Sequence, residues 1–486
     1  MALLGGQLVI TLIMVSIIQK LGSHCSIAKW VLCSTGLKRY LYPTNEELKN
    51  LAGIPKEKHK KGKHPENGKV PKSFQIPRNL DITLETAPVS TLDVIHLKFY
   101  SDFQWLLDFS IYGTMVYIMT EVQLLCHIVP LNLYHVWCCL VIGFSFKVLV
   151  TLWVQYFKGE ESIGERSTCI VTGFLYLLIA MMILIIDENT LELGLDNAYT
   201  SFNHTASIFM KNQGLSSSGP ASKLIVKLCF AVLCGFFGSL LTFPGLRVSK
   251  MHWDALKYYK DSKILLLLAN LSYVSPLLLA SLWIKPISRD YLTVRIFAGA
   301  TKPIMTPSAF ESLRLIAIVV AVLLRFALMP VYLQSYLNLA NQKLEIQKKE
   351  AGRISNTEFQ KKVAAVFYYL CVVALQYIAP LIICLYCAFM YKTLGGYSWE
   401  GVYKNLDSEE CPAPEPLPEP KTFINDEEKT IAQTAHEFHL ALSTMRQIFT
   451  IEVFRGIFGL ATWWTCFTLF SSTAMGMLYQ SYFKSV

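Results

Sequence analysis

Ser110, Thr114, Tyr117 and Glu121 follow one another at intervals of four, three and four, which stacks a carboxylate and three hydroxyls on one face of a helix. The stretch that carries them is otherwise apolar. Asp108 precedes the stripe, Lys147 stands near the middle of a second apolar stretch and Arg325 near the middle of another. A charge in hydrocarbon costs about 2.5–3.5 kcal/mol even on the lenient insertion scale, so such groups face a bundle interior and have partners. Two chemistries suit two acids and two bases at depth: an ion or proton path, or glue between helices. Paired charges suffice to satisfy burial, so glue is the favoured expectation. Pairing follows from register. Asp108 lies 22 residues before Pro130 and Lys147 lies 17 after it, an offset of roughly 7 Å in antiparallel helices. Lys147 is therefore expected to meet Asp108, leaving Glu121 for Arg325.

The elements that must hold these groups are membrane spans. The chain has 486 residues, 53% hydrophobic and only 16% charged, too apolar for an ordinary solvated surface. A span needs roughly 20 mostly apolar residues. Nine stretches qualify: Ala2 to Gln19, Phe103 to Val129, Leu131 to Phe157, Thr168 to Ile186, Leu224 to Phe243, Ile264 to Ile284, Leu313 to Leu337, Ala364 to Tyr391 and Val453 to Tyr479. The expected fold is an all-α polytopic bundle. Its parts are a first helix at 1–19, a basic segment at 20–102, a membrane core at 103–391, an acidic, proline-rich loop at 392–452, and a last span with a short tail at 453–486.

Arginine and lysine orient the bundle. The segment after the first run is strongly basic, with Lys56, Lys58, Lys60, Lys61 and Lys63 clustered, and belongs on the cytosolic side. Alternation from there puts three further basic loops in the cytosol and the acidic stretches from Glu188 to Asp196 and from Glu400 to Glu437 outside. Only the loop from Lys285 to Glu311 is basic on the wrong side. The amino terminus is then outside and the carboxyl terminus inside. The net charge of +9 is accounted for by these flanks and by anionic headgroups, so the expected partner is the lipid bilayer and no nucleic acid is implied. Asn203-His204-Thr205 is a glycosylation sequon on the outer side, whereas Asn270-Leu271-Ser272 falls inside a span. No Lys or Arg precedes Lys20, which favours a retained first helix over the alternative, a signal peptide removed near residue 28.

Outside the bilayer, Thr44 and Glu47 form a capping box, and Ser355 with Glu358 a second. A helix running past Gln342, broken at Gly352, predicts a cytosolic hairpin near 339–363 that could bind a partner. The lysine-rich tract Lys56 to Lys72 and the outer segment Cys411 to Pro420 read as flexible linkers. The 13 cysteines lie mostly inside spans and define no disulfide framework. Trp463 and Trp464 sit far enough from span ends to pack in a core.

Enzymatic motifs are missing. His436 and His439 lack the zinc-protease spacing, Cys384 and Cys387 form a CxxC within a span, and no nucleophile elbow, Walker sequence or dinucleotide fingerprint occurs. No catalytic residue, metal or cofactor is expected.

The strings HCSIAKWVLC (His24 to Cys33), EELKNLAG (Glu46 to Gly53), GERS (Gly164 to Ser167), LTFPGLR (Leu241 to Arg247), KEAGRIS (Lys349 to Ser355), LQYIAPL (Leu375 to Leu381), KTLGGYSW (Lys392 to Trp399) and TWW (Thr462 to Trp464) run in order along nearly the whole chain. Together they resemble the transmembrane protein 161 family, with KTLGGYSW and HCS tilting toward its A branch. The resemblance implies a non-enzymatic multi-pass glycoprotein. One branch is linked to protection against oxidative stress, DNA damage and apoptosis, the other to restraint of potassium and calcium currents and to cardiac rhythm. Channel or signalling proteins are the partners this implies.

Overall fold

The computed structural model describes residues 26–51, 75–76, 83–125, 134–158, 163–212, 222–297, 302–349, 354–399 and 449–484, with residues 13, 16, 17 and 20. The protein is an all-α bundle. Its main helices are α1 (Tyr100–Leu125), α2 (Tyr134–Lys158), α3 (Ile163–Ile185), α4 (Leu195–Asn212), α5 (Lys223–Tyr258), α6 (Lys263–Ser281), α7 (Pro307–Leu337), α8 (Leu339–Lys349), α9 (Asn356–Tyr368), α10 (Leu370–Leu394) and α11 (Ile451–Lys484). Seven helices among the described residues are long and apolar enough to cross a membrane: α2, α3, α5, α6, α7 running on into α8, α9 running on into α10, and α11. α1, of 26 residues, carries the polar stripe from Ser110 to Glu121 and is not among these seven. Most of the first expected span lies outside the described residues, as do Pro130, Gly352, the lysine-rich tract, Cys411 to Pro420 and His436 to His439.

α10 is the centre. It is apolar all round and almost every residue from Leu370 to Lys392 is buried, as a helix surrounded by other helices must be. α1, α2, α5, α7 and α11 pack on it, and α3 and α6 join through α5, α7 and α11. α5 and α11 approach closely through small residues. A Cβ on Gly245 would fall 2.4 Å from Ser472 Cβ, and one on Gly476 would fall 2.7 Å from Ser249 Cβ. Such reciprocal small contacts are the usual seam between helices in lipid, where no hydrophobic force draws them together. Trp463 and Trp464 are core residues, as their positions suggest. Their indole N–H groups donate to the carbonyls of Ala280 and Cys234, both at 3.0 Å.

The helices alternate in direction. The loops after α3, α6 and α10 meet at one end, where Leu191 bridges to Ile284, Glu192 N donates to Trp283 O at 2.9 Å, and Ser312 Oγ donates to Ser398 O at 2.6 Å. At the opposite end Gln334 holds both backbone groups of Lys38 (2.8 and 3.2 Å), Tyr40 OH donates to Asn338, and Gln360 donates to Pro43 O. Among the described residues, Asp187, Glu188, Glu192 and Asp196 lie at the first end and Arg39, Lys257 and Lys343 at the second. They are called here the acidic and basic ends.

The basic end is more ordered than composition suggests. Lys38–Leu41 pairs antiparallel with Glu85–Pro88, in the register Lys38↔Pro88 to Leu41↔Glu85. Thr44 N donates to Glu47 at 2.8 Å and Glu47 N donates back to Thr44 Oγ1 at 3.4 Å, the capping box read from the sequence. Hydrogen bonds from Ser90 and the charge of Arg39 hold the Asp93 carboxyl below its usual range. The expected hairpin exists as α8 and α9, but its apolar face is already covered. Ala340, Leu344, Phe359, Val363 and Val366 enclose Leu48, which is fully buried, with Tyr40 and Leu84 beside them. The chain's own amino-terminal segment occupies the surface that the sequence offered to a partner.

Candidate functional site

α1 presents its polar stripe to α10. Tyr386 OH donates to Ser110 O at 2.5 Å and lies 3.0 Å from Thr114 Oγ1. One turn on, Tyr117 stacks on Phe389 with ring centroids 4.1 Å apart. Glu121 then meets Lys392, Oε2 to Nζ 2.5 Å. The stripe is a helix-to-helix seam, matched residue for residue along α10.

The expected pairings do not form. Asp108 is met by the amino-terminal turn rather than by Lys147: Ser26 Oγ donates to Oδ2 at 2.7 Å and Ala28 N to Oδ1 at 3.0 Å. The carboxylate thus takes the free N–H at the start of the helix Ile27–Lys29, where backbone donors favour an anion. Glu121 belongs to Lys392, not Arg325. Arg325 instead donates from Nε to Ser272 O at 3.1 Å. That carbonyl is available because Pro276, four residues on, has no N–H to give it. Tyr377 OH adds a 2.6 Å bond to Arg325 O. Lys147 is exposed on the perimeter of α2.

The largest assembly of charge was not read from the sequence. At the acidic end the loop after α3 contributes Glu192, the short helix Arg289–Thr293 contributes Arg289, and the first turns of α7 contribute Glu311 and Arg314. Arg314 is fully buried, with Nη2 3.2 Å from Glu192, Nη1 3.2 Å from Glu311, and further bonds to Leu282 O and Tyr391 OH, each at 3.3 Å. Its guanidinium also lies over the Trp283 ring, 4.6 Å from the centroid. Arg289 pairs with Glu192 and stands 3.8 Å from Glu311. In the loop that seemed basic on the wrong side, Arg289 is therefore met by one acid of the facing loop and one of α7.

Three of the quartet, Glu192, Arg289 and Glu311, line an open cavity of about 740 Å³, with Arg314 buried behind them. Asp187, Glu188, Asp196, Glu452, Lys285 and Arg455 also line it, with Tyr391 and Tyr397. Burial raises the Asp196 carboxyl, but hydrogen bonds from Lys227 and Lys223 outweigh it and leave the group below its usual value. Among the described residues no three His, Cys, Asp or Glu side chains converge as metal ligands. The arrangement presents charged and hydroxyl groups that can recognise polar ligands.

Asn203 sits within α4 rather than in a loop, half-buried with its Oδ1 enclosed. Ser272 of the second sequon is buried inside α6. Cys384 faces Cys466 of α11, Sγ to Sγ 3.6 Å, and its CxxC partner Cys387 is likewise free and buried.

No solved structure matches the chain. The family model described as Predicted transmembrane protein 161AB matches it from residue 2 to residue 484, and the chain belongs to that family.

Proposed function

We propose that this multi-pass membrane protein is a non-enzymatic regulator whose intramembrane charges fasten helices and form no conduction path. The observation that carries the reading is the engagement of four of these charges by their own neighbours, Lys147 standing apart on the perimeter: Asp108 by the Ser26 turn, Glu121 by Lys392, Arg325 by the Ser272 carbonyl and Arg314 by two acids. A regulator needs surfaces, and it has exposed apolar residues at the basic end, Trp30, Leu92 and Ile95, besides the cavity at the acidic end. Resemblance to the A branch supports a regulatory role in protection against oxidative stress, DNA damage and apoptosis. The B branch would make the regulator's targets potassium and calcium channels. The competing reading is an ion or solute transporter. Purified protein in proteoliposomes is expected to give no ion flux above empty vesicles. Robust flux abolished by Glu121→Gln would overturn the proposal.

We read the acidic end as lumenal or extracellular and the basic end as cytosolic, with nine spans and the amino terminus outside. Arginine and lysine bias supports this sidedness, and Asn203 then faces the glycosylating compartment. Its half-buried seat means that any glycan would have to be attached before α4 docks on α11. Asn203→Gln is expected to remove a glycan-dependent mobility shift, with a reporter at Lys60 reading cytosolic. A lumenal Lys60 would reverse the assignment and favour a cleaved amino-terminal signal.

A further inference from the structure

Lys147 differs from the other charges inside the bundle. It is exposed on α2, a helix long and apolar enough to cross a membrane, and among the described residues no carboxylate is in ion-pair contact with it. An exposed ammonium on a membrane span is stable only if it reaches the interface or a polar partner, and a lipid headgroup offers both. The surroundings say which. Lys147 lines a groove of about 270 Å³ between α1 and α2, with Asp102, Trp105, Phe144 and Thr151. Asp102 lies in the first turn of α1, so the groove opens at the helix boundary, where headgroups lie. Trp105, stacked on Phe109 (4.8 Å) and edge-on to Phe144 (4.4 Å), gives it an aromatic floor, the residue type that favours the interface.

We propose that this groove binds a zwitterionic phospholipid of the phosphatidylethanolamine type. Lys147 takes the phosphate in a charge-assisted hydrogen bond, the exposed Asp102 takes the primary ammonium, and the acyl chains follow the apolar wall of α1 and α2. Two opposite charges that share a groove without touching fit a headgroup whose own charges are separated. A net-negative headgroup would satisfy Lys147 but meet repulsion from Asp102.

The test uses the full chain purified in detergent and exposed to an equal mixture of phosphatidylethanolamine, phosphatidylcholine and phosphatidylglycerol, with bound lipid counted by native mass spectrometry. Phosphatidylethanolamine is expected to be retained preferentially. Lys147→Met should lower its retention about tenfold, the worth of one charge-assisted hydrogen bond. Asp102→Asn should shift the preference toward phosphatidylglycerol by removing the repulsion, an effect that loss of packing alone would not produce. Preference for phosphatidylglycerol in the unaltered protein would overturn the proposal, as would unchanged retention in folded Lys147→Met. If Lys147→Met does not fold, the Asp102→Asn ratio decides, and an unchanged ratio overturns it.

Discussion

Arg314→Met is expected to destabilise the protein by about 3–5 kcal/mol, the usual cost of removing one member of a buried ionic cluster. The guanidinium is fully buried and is shared by Glu192 from the loop after α3, Glu311 from α7, a carbonyl at the end of α6 and the Tyr391 hydroxyl of α10. Removing it leaves Glu192 and Glu311 to share Arg289, which is 3.8 Å from Glu311, and unties four elements at once. Arg314→Lys should not restore stability, because an ammonium can neither span two acids in a planar fork nor stack on Trp283 as the guanidinium does. Combining Arg314→Met with Glu311→Gln should recover part of the loss by removing the surplus negative charge. Thermal unfolding of the purified variants, followed with surface abundance, measures all three. An Arg314→Met protein as stable as the parent would show that the quartet does not hold the acidic end together.

The sequence made the bundle legible because hydrocarbon admits few solutions. Eight of the nine apolar stretches coincide with α1, α2, α3, α5, α6, α7, α10 and α11, since each needs length and apolarity that few other segments have. The stripe on α1 was legible as well, because helical spacing alone puts Ser110, Thr114, Tyr117 and Glu121 on one face. Its partner was not. The apolar reading ends at Tyr391, one residue before Lys392, so the lysine that pairs with Glu121 was assigned to the loop. Glu311 and Arg314 escaped for the same reason. They lie at the edge of the apolar run of α7, where a charge looks solvated, whereas the packing of the loops after α3 and α6 buries them.

Register explains the remaining misses. Counting residues from Pro130 treats α1 and α2 as straight neighbours and ignores rotation about each helix axis. In the fold Lys147 is brought to Asp102 and Trp105 on the perimeter, and Asp108 turns inward to Ser26. The Arg325 contact needed two facts at once. Pro276 frees the Ser272 carbonyl, which sequence tells, and α7 lies beside α6, which only the fold tells. The hairpin of α8 and α9 was legible from its breaks, but its occupancy by Leu48 depends on a contact across some three hundred residues of chain, beyond what local pattern can carry.

The account rests on the charges inside the bundle acting as fasteners, and Glu121 with Lys392 is the plainest case, a direct contact at 2.5 Å between two largely buried side chains. Glu121→Gln and Lys392→Met should each lower stability by about 2–5 kcal/mol, because each leaves the other charge unpaired. The double substitution removes both charges and should cost less than the sum of the two by about 1–3 kcal/mol. The most direct measurement is that double-mutant cycle, followed by thermal unfolding of the four purified proteins in one lipid composition. A coupling of that size is predicted. Additive losses, or single variants as stable as the parent, would mean that the pair does not fasten α1 to α10.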